Sequence, residues 1–282
     1  MTDINQALQN ALQLANSGQL DAARQACQQI LTTSPQHAET LNLLQQIEFR
    51  LHMMAAQQRF PGKPYLEWLE WFHLARQPKT YLEIGVETGN SIRFAKPPTK
   101  AIGVDPEFNI AYTQQTWSKL FRETSNDFFA AHDLREVMQA DAIDLAFIDG
   151  LHTFDQTLTD FINVERYSDK DSLVIFHDIF PVSPITASRE RKSVLWLGDT
   201  WKVILILRKF RPDLQLFTIP TYPSGLAVVS NLDCHSTVLS DRYEEIIGEF
   251  MPLAFEQHQA TFESQLNLVT NEFQAVEQAL TH

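Results

Sequence analysis

One stretch constrains the fold of this 282-residue chain more than any other. An apolar run, Tyr81–Ile84, is followed by Gly85 and Gly89 and then by the helix-compatible segment Ser91–Lys96. The run is typical of a buried strand, and the glycines are typical of a tight turn. A strand, a glycine turn and a helix in this order point backbone N–H groups and the positive end of a helix dipole at a ligand. We therefore expect a small-molecule site at this turn.

Strand and helix patterns alternate after the glycine turn. The predicted strands are Thr80–Ile84, Ala101–Val104, Phe121–Thr124, Leu145–Ile148, Leu173–Phe176, Gln215–Ile219 and Leu226–Ser230. The predicted helices between them are Ser91–Lys96, Ile110–Leu120, Ala130–Gln139, Thr153–Tyr167 and Thr200–Arg211. Such alternation specifies an α/β fold with a doubly wound, mostly parallel sheet. The last two strands are joined by a short loop and must be antiparallel, because a parallel return needs a long crossover.

The N-terminal part, residues 4–56, has a helical pattern rich in Ala, Leu and Gln. Small or helix-ending residues recur along it at Ala11, Gly18, Ala23 and Pro35. Their spacing resembles a single tetratricopeptide repeat, and a generic helical hairpin remains the alternative. One repeat cannot bury its own apolar face, so it is expected to pack on the main domain or on another subunit.

Three segments are predicted from these patterns. Phe60-Pro-Gly-Lys-Pro64 is the expected linker between the N-terminal helices and the rest of the chain. We expect an N-terminal helical segment at 1–58, the main α/β domain at 59–235 and a C-terminal helical extension at 236–282. The tail from Asp241 to Leu280 is helical by pattern and carries acidic residues on its outer face.

Composition excludes several classes of function. A formal net charge of −13 argues against a nucleic-acid-binding surface, since phosphate backbones require clustered Lys and Arg. The two cysteines, Cys27 and Cys234, stand far apart, which favours buried thiols over a disulfide and a cytoplasmic location. No apolar run approaches the ~18 residues of a membrane span, so no membrane partner is expected.

The glycine turn carries weak evidence for a nucleotide-like ligand when it is taken alone. Gly85 and Gly89 are four positions apart, which differs from the Gly-x-Gly-x-x-Gly of nicotinamide enzymes. Asp105 follows at the end of the next predicted strand, roughly twenty residues after Gly85, where a carboxylate can accept hydrogen bonds from two ribose hydroxyls. A tight strand–helix turn without a ligand remains the alternative.

The pattern Glu83-x-Gly85-x-x-x-Gly89-x-Ser91, with Ile102-Gly-Val-Asp105, resembles the first two motifs of class I S-adenosylmethionine-dependent methyltransferases. The resemblance implies a Rossmann-like sheet of seven strands, mostly parallel, with an antiparallel terminal strand and flanking N- and C-terminal helices. It also implies that the glycines approach the methionine moiety, that Asp105 holds the ribose and that Ser125 and Asn126 flank the adenine. An acidic rim suits a positively charged sulfonium cofactor. The implied cofactor-binding residues are Glu83, Gly85, Glu87, Gly89, Ser91, Asp105, Ser125, Asn126 and Asp149.

A second pair of segments, Asp149-Gly-Leu-His152 and His177-Asp178, resembles a subfamily that includes metal-dependent sugar O-methyltransferases and cephalosporin hydroxylase-type proteins. This resemblance implies a Mg²⁺ or another divalent metal held by Asp149, His177 and Asp178. The best-known metal-dependent members carry two adjacent acidic residues where this chain has His177-Asp178. An imidazole in place of a carboxylate favours a softer metal, weaker Mg²⁺ binding or none.

The sequence predicts methylation of a hydroxyl on a sugar or related small molecule. His152 is the expected general base and Asp149 acts beside it, although His152 also fits a helix-start residue that bonds only its neighbours. Trp196, Trp201 and Lys202 are expected either to form a sugar-stacking wall or to pack as a lid. Two other functions stay open: hydroxylase-like or other chemistry on the same fold, and an interaction protein with a vestigial cofactor site. The N-terminal helices are the expected surface for a protein partner or a homo-oligomer.

Overall fold

The computed structural model describes residues 4–281, in which one seven-stranded sheet is flanked by helices. The strands are β1 Thr80–Ile84, β2 Lys100–Val104, β3 Ser118–Phe121, β4 Ile143–Ile148, β5 Ser168–Phe176, β6 Gln215–Ile219 and β7 Leu226–Ser230. The helices before and within the sheet are α1 Ile4–Asn16, α2 Leu20–Thr33, α3 Ala38–Arg59, α4 Tyr65–Arg76, α5 Ser125–Ala131, α6 Leu134–Met138, α7 Phe154–Glu165 and α8 Lys202–Phe210. Those after it are α9 Val238–Asp241, α10 Tyr243–Phe250, α11 Phe255–Gln265 and α12 Phe273–Ala279.

The strand order is β3-β2-β1-β4-β5-β7-β6. β1 to β5 pair in parallel, and β7 is antiparallel to both β5 and β6. This confirms the predicted Rossmann-like sheet with its antiparallel last strand. The chain winds outward from β1 through β2 to β3 and then returns to β4 on the other side of β1. Open α/β sheets bind ligands at such a reversal, outside the carboxyl ends of the strands, here those of β1 and β4.

Apolar side chains cover both faces of the sheet, because the central strands are continuous runs of buried residues. One core, containing Leu82, Ile84 and Phe176, packs against α5, α7 and α8. The other, containing Tyr81 and Phe147, packs against α4 and α12. Burial on both faces leaves the ends of the strands as the places where polar chemistry can reach solvent.

The predicted helix Ile110–Leu120 was wrong: residues 105–117 form no helix, and β3 begins at Ser118 rather than at Phe121. Backbone groups of this segment bond the glycine turn instead of one another. Asn109 N donates to Glu87 O at 2.7 Å, and Ala111 N donates to Thr88 O at 2.9 Å. Tertiary hydrogen bonds therefore replace the helical ones that the local sequence favours.

Two further helix predictions need correction. Ser91–Lys96 forms only a short 3₁₀ turn, Ile92–Phe94, because two prolines follow Lys96 and disfavour helical backbone before them. The predicted helix Ala130–Gln139 is replaced by α5 and α6. The Thr124 side chain accepts from Asp127 N and caps α5, which therefore begins at Ser125, in a segment predicted as a strand end.

The N-terminal helices have a core of their own that includes Ala11, Ala23 and Cys27. The end of α3 leaves this core, and Ala56 and Phe60 join the main one. The predicted linker Phe60–Pro64 is consequently an ordered connection: Phe60 is buried, and the Thr221 hydroxyl donates to Lys63 O at 2.6 Å.

The C-terminal tail is helical, as its pattern predicted, and its described residues form four short helices with an extended piece before α12. In that piece Val269 N donates to Thr218 O at 2.9 Å, which places it along the outer edge of β6. Asn271 then accepts from Trp68 Nε1 at 2.6 Å and ties the tail to α4. Among the described residues, no helix is long and apolar enough to cross a membrane.

Candidate active site

The glycine turn after β1 presses directly on the turn after β4. Gly85 has φ +88°, and a Cβ placed on it would lie 2.0 Å from the Asp149 carbonyl oxygen. Gly89 has φ +77°, and its Cβ would lie 3.0 Å from Gln114 Nε2. Only glycine combines this backbone with this close approach. The two predicted halves of the site, one on each strand, are therefore in contact.

Glu83 lies beneath the turn rather than on an acidic rim. Its side chain is fully buried and accepts hydrogen bonds from the Tyr81 hydroxyl at 2.5 Å and the Ser91 hydroxyl at 2.7 Å. Burial, with a contribution from Asp149, raises the pKa of Glu83 to about 8 although both hydroxyls favour its ionised form. Glu83 thus anchors Ser91 from below, while Glu87 is the exposed carboxylate of the turn.

Asp105 lies at the end of β2, as predicted. Its side chain holds the glycine turn by accepting hydrogen bonds from the backbone N–H groups of that turn. One carboxylate oxygen accepts from Val86 N at 2.9 Å and Glu87 N at 2.8 Å, and the other accepts from Glu107 N at 2.7 Å. A carboxylate offers about four acceptor positions. The three bonds leave about one position free for a hydroxyl, where the sequence had suggested two.

Residues 106–117 cover the outer side of the glycine turn. Besides the backbone bonds to Glu87 and Thr88, the Ile110 side chain lies against Gly89. The Arg122 guanidinium packs over the Phe108 ring at 4.1 Å and holds the start of this segment. A ligand that contacts the turn would therefore meet this segment as its outer wall.

Ser125 and Asn126 lie in the first turn of α5 and are linked to α7. The Ser125 hydroxyl donates to Asp160 Oδ1 at 2.6 Å, and Gln156 Nε2 donates to Asn126 Oδ1 at 3.1 Å. Asp160 is buried, and burial raises its pKa to about 6 despite the two donors on Oδ1. Asp160 also lies close to the turn after β4, since a Cβ placed on Gly150 would be 3.7 Å from Asp160 Oδ2.

Asp149, His152 and Asp178 form a compact cluster at the carboxyl ends of β4 and β5. One potential ligand atom from each residue lies within 4.8 Å of the others. His152 Nε2 is 3.1 Å from Asp178 Oδ2 and 3.7 Å from Asp149 Oδ1. Burial disfavours the charged form of Asp149, but His177 and His152 hold its pKa well below the usual range.

His152 is oriented by the loop that follows β5. Its Nδ1 donates to the Trp196 carbonyl oxygen at 2.7 Å, and its ring stacks on Trp196 with centroids 5.3 Å apart. Burial alone would lower the pKa of His152, but Asp178 and then Asp149 outweigh it and raise the pKa to about 9. The imidazole is therefore protonated at neutral pH, and it gains a basic lone pair only when the Nε2 proton leaves.

His177 lies against both aspartates of the cluster, although it is not one of the three residues that form it. Its Nδ1 is 3.1 Å from Asp149 Oδ1 and 3.4 Å from Asp178 Oδ1, its Nε2 is 3.1 Å from the Ser224 hydroxyl, and its ring stacks on Tyr65 at 4.2 Å. Asp178 has φ +57°, an uncommon left-handed backbone for a residue other than glycine. Tyr65 and Ser224 were not predicted, since both lie far from the recognised segments in the sequence.

Of the three residues predicted to form a stacking wall, Trp196, Trp201 and Lys202, only Trp196 is not buried. Trp201 is fully buried and packs edge-on against Phe255 and Phe262, as the lid alternative had it. Lys202 is also buried and donates to Asp199 at 2.9 Å. Asp199 accepts from Phe154 N at 2.9 Å, so it stabilises the start of α7 from a distant part of the chain.

The residues present suit both a divalent cation and a nucleoside-type cofactor. Two carboxylates and an imidazole can bind Mg²⁺, Mn²⁺ or a softer first-row metal. Because Gly85 and Gly89 have no side chains, the turn does not cover its own backbone at these two positions. Glu87 and Asp105 place negative charge beside the turn. In the described residues, this cluster and this turn adjoin at the reversal point of the sheet.

Residues 82–179, about a third of the chain, match the family model described as a methyltransferase domain. No curated protein matches the chain. Among solved structures, the O-methyltransferase TomG from Streptomyces achromogenes, in complex with SAM, is similar at 15% identity and a TM-score of 0.47, over 64% of this chain and 89% of TomG. The SAH-bound methyltransferase PaMTH1 from Podospora anserina is similar at 15% identity and a TM-score of 0.43, over 64% and 86%. The matched residues include both the glycine turn and the cluster of Asp149, His152 and Asp178.

Proposed function

We propose that this protein is an S-adenosylmethionine-dependent O-methyltransferase that acts on a hydroxyl of a sugar or related small molecule. The observation that carries the proposal is the contact between Gly85 and Asp149, which joins the glycine turn to the cluster of Asp149, His152 and Asp178. A methyl donor on the turn and an acceptor on the cluster would then be neighbours. The methyltransferase domain match over residues 82–179 supports the reaction class.

The cofactor side of the proposal uses the turn and its supports. Gly85 and Gly89 would admit the methionine moiety, and Glu87 would contribute negative charge near the sulfonium. Asp105 would accept from one ribose hydroxyl, and Ser125 and Asn126 would border the adenine. Glu83 and Ser91 would act from beneath, by keeping the turn in place.

The acceptor side uses Asp149, His152 and Asp178. These three residues would hold a divalent cation, which, when bound, lowers the pKa of an acceptor hydroxyl. His152 Nε2 cannot bind a cation and take a proton at the same time, so its roles as ligand and as general base exclude each other. We assign it the ligand role, because potential ligand atoms of His152, Asp149 and Asp178 all lie within 4.8 Å of one another.

Several other predictions belong to this proposal. Trp196 would border the acceptor, since it stacks on His152. The three N-terminal helices would act as a tetratricopeptide-like surface for a protein partner or a second copy of the chain.

We propose the segments 1–58, 59–235 and 236–282 as the functional divisions of the protein and the cytoplasm as its location. Residues 1–3 and 282 lie outside the described part of the chain.

Isothermal titration of the full chain with S-adenosylmethionine tests the proposal, followed by incubation of small-molecule extracts with a methyl-labelled cofactor and mass spectrometry. We expect cofactor binding and one or more labelled products whose methyl group is on oxygen. Absence of cofactor binding would refute the proposal. Binding without a labelled product in any extract would leave the scaffold alternative as the better explanation.

A further inference from the structure

His177 and Asp178 are adjacent in the sequence, but their side chains have different surroundings. Asp178 faces His152 with one carboxylate oxygen, whereas His177 has both aspartates on one side and Ser224 and the Tyr65 ring as its other neighbours. Both residues are more than nine-tenths buried, so both side chains are held by packing in the interior.

Both ring nitrogens of His177 are already engaged. Nδ1 faces Asp149 Oδ1 at 3.1 Å, and an ionised carboxylate only accepts hydrogen bonds, so Nδ1 carries a proton. Nε2 faces the Ser224 hydroxyl at 3.1 Å, which can donate to a neutral ring or accept from a charged one. In this arrangement a proton on Nδ1, rather than a lone pair, faces the carboxylates.

The chain Ser224–His177–Asp149 has the residue types of a nucleophilic triad, but its exposure excludes that chemistry. Ser224 is 0% exposed, so its hydroxyl cannot meet a substrate. The same burial makes it an effective support for an imidazole. Tyr65 adds a second support, since its ring stacks on His177 with centroids 4.2 Å apart and planes 28° apart.

We propose that His177 is a positioning residue that orients the Asp149 carboxylate toward the cation or acceptor, with Ser224 and Tyr65 fixing the imidazole. The proposal rests on the proposed function insofar as Asp149 is taken as a reacting-site ligand. Histidine–carboxylate pairs behind a metal ligand fix its orientation and raise its affinity for the metal. Both supports of His177 lie outside the matched segment 82–179, so the site extends to α4 and the β6–β7 loop.

The proton on His177 Nδ1 is the first test. Two-bond ¹H–¹⁵N correlation spectra of histidine-labelled full-length protein, assigned with His177→Asn, report which ring nitrogen carries a proton. We expect Nδ1 of His177 to be protonated both without metal and with saturating Mg²⁺, while Mg²⁺ shifts the His152 resonances. Loss of the Nδ1 proton on addition of Mg²⁺ would make His177 a ligand and overturn the inference.

Ser224→Ala is the second test, with Thr221→Val as the matched control. Both positions are fully buried in the same loop, but the Thr221 hydroxyl donates to Lys63 O and does not touch His177. We expect Ser224→Ala to weaken Mg²⁺ binding about tenfold, as for other supports of metal ligands, and Thr221→Val to leave it within about twofold of the parent value. Equal affinities for Ser224→Ala and the parent would contradict the inference.

Failure of this inference and failure of the proposed function give different results. Absence of S-adenosylmethionine binding to the parent protein removes the proposed function, whatever the spectrum shows. If the parent binds the cofactor but not Mg²⁺, the spectrum of the metal-free protein still decides whether His177 donates to Asp149. An unprotonated Nδ1 in that state would overturn the positioning role.

Discussion

His152 and Asp178 lie on different loops, yet Nε2 of the histidine is 3.1 Å from Oδ2 of the aspartate. Neither residue occurs near the other in the sequence, and the contact forms because β4 and β5 end side by side. The proton on Nε2 and a cation between the carboxylates would occupy the same space. Proton and metal should therefore compete at this atom.

Mg²⁺ binding should consequently strengthen with pH. The pKa of His152 is raised to about 9, so at lower pH its Nε2 proton must leave before a cation binds. We expect the affinity to rise by up to about tenfold per pH unit between pH 6 and 9 and then to level off. Titration calorimetry at several pH values measures it. His152→Ala should bind Mg²⁺ more weakly and lose this slope, and a pH-independent parent affinity would count against His152 as a ligand.

Gly85→Ala should destabilise the protein by several kcal/mol, because the new Cβ would lie 2.0 Å from the Asp149 carbonyl oxygen at a left-handed φ. Gly18→Ala is the control, since Gly18 has φ +81° but nothing within 4 Å of its Cβ. The control should cost only about 1–2 kcal/mol of backbone strain. Urea unfolding of both variants measures the difference. Equal losses would mean that the two turns do not touch in solution.

Glu83→Gln should change how the free energy of unfolding depends on pH. Burial raises the folded-state pKa of Glu83 to about 8, above its unfolded value, so its contribution is present below about pH 4.5 and is lost as pH rises through 8. The parent protein should lose up to about 1.4 kcal/mol per pH unit from this group within that window. Urea unfolding between pH 5 and 9 should give a flatter profile for Glu83→Gln. Glu87→Gln, an exposed change in the same turn, should keep the parent profile.

Asp105→Asn should weaken S-adenosylmethionine binding by about 10- to 100-fold. An amide nitrogen in place of one carboxylate oxygen cannot accept from the backbone N–H groups of the turn, and hydrogen bonds to charged groups contribute about 1.5–3 kcal/mol each. Isothermal titration measures the affinity. Asp241→Asn, on helix α9, should bind the cofactor like the parent. An unchanged affinity for Asp105→Asn would remove Asp105 from the cofactor site.

Most of the sheet was predictable because its central strands are short apolar runs, and because β6 and β7 are joined by too few residues for a crossover. The segment between β2 and β3 was not predictable from its local pattern. Its apolar spacing fits a helix, but its backbone N–H groups bond Glu87 and Thr88. Local propensity is a weak term, and a tertiary partner for each N–H group outweighs it.

The side chains of the site also divide into those that the sequence predicted and those whose placement it could not predict. Asp105, Asp149, His152 and Asp178 could be found because each lies within four residues of the end of a predicted strand, and strand ends gather at one edge of a parallel sheet. The orientation of His177 could not, since it depends on Ser224 and Tyr65, which reach it from distant parts of the chain. The burial of the Glu83 side chain could not be predicted either, because a position within a strand does not show which residues pack against its side chain.

The sequence by itself determined the order of strands and helices, the glycine turn and the polar residues at the strand ends, because local patterns of apolar residues, glycine and proline encode them. Only the tertiary structure decided that both His152 and His177 lie against the two aspartates, and that Gly85 touches Asp149. Those relationships depend on packing between segments far apart in the chain. A few ångströms and the direction of one side chain decide whether a residue can bind a ligand or only supports a residue that does.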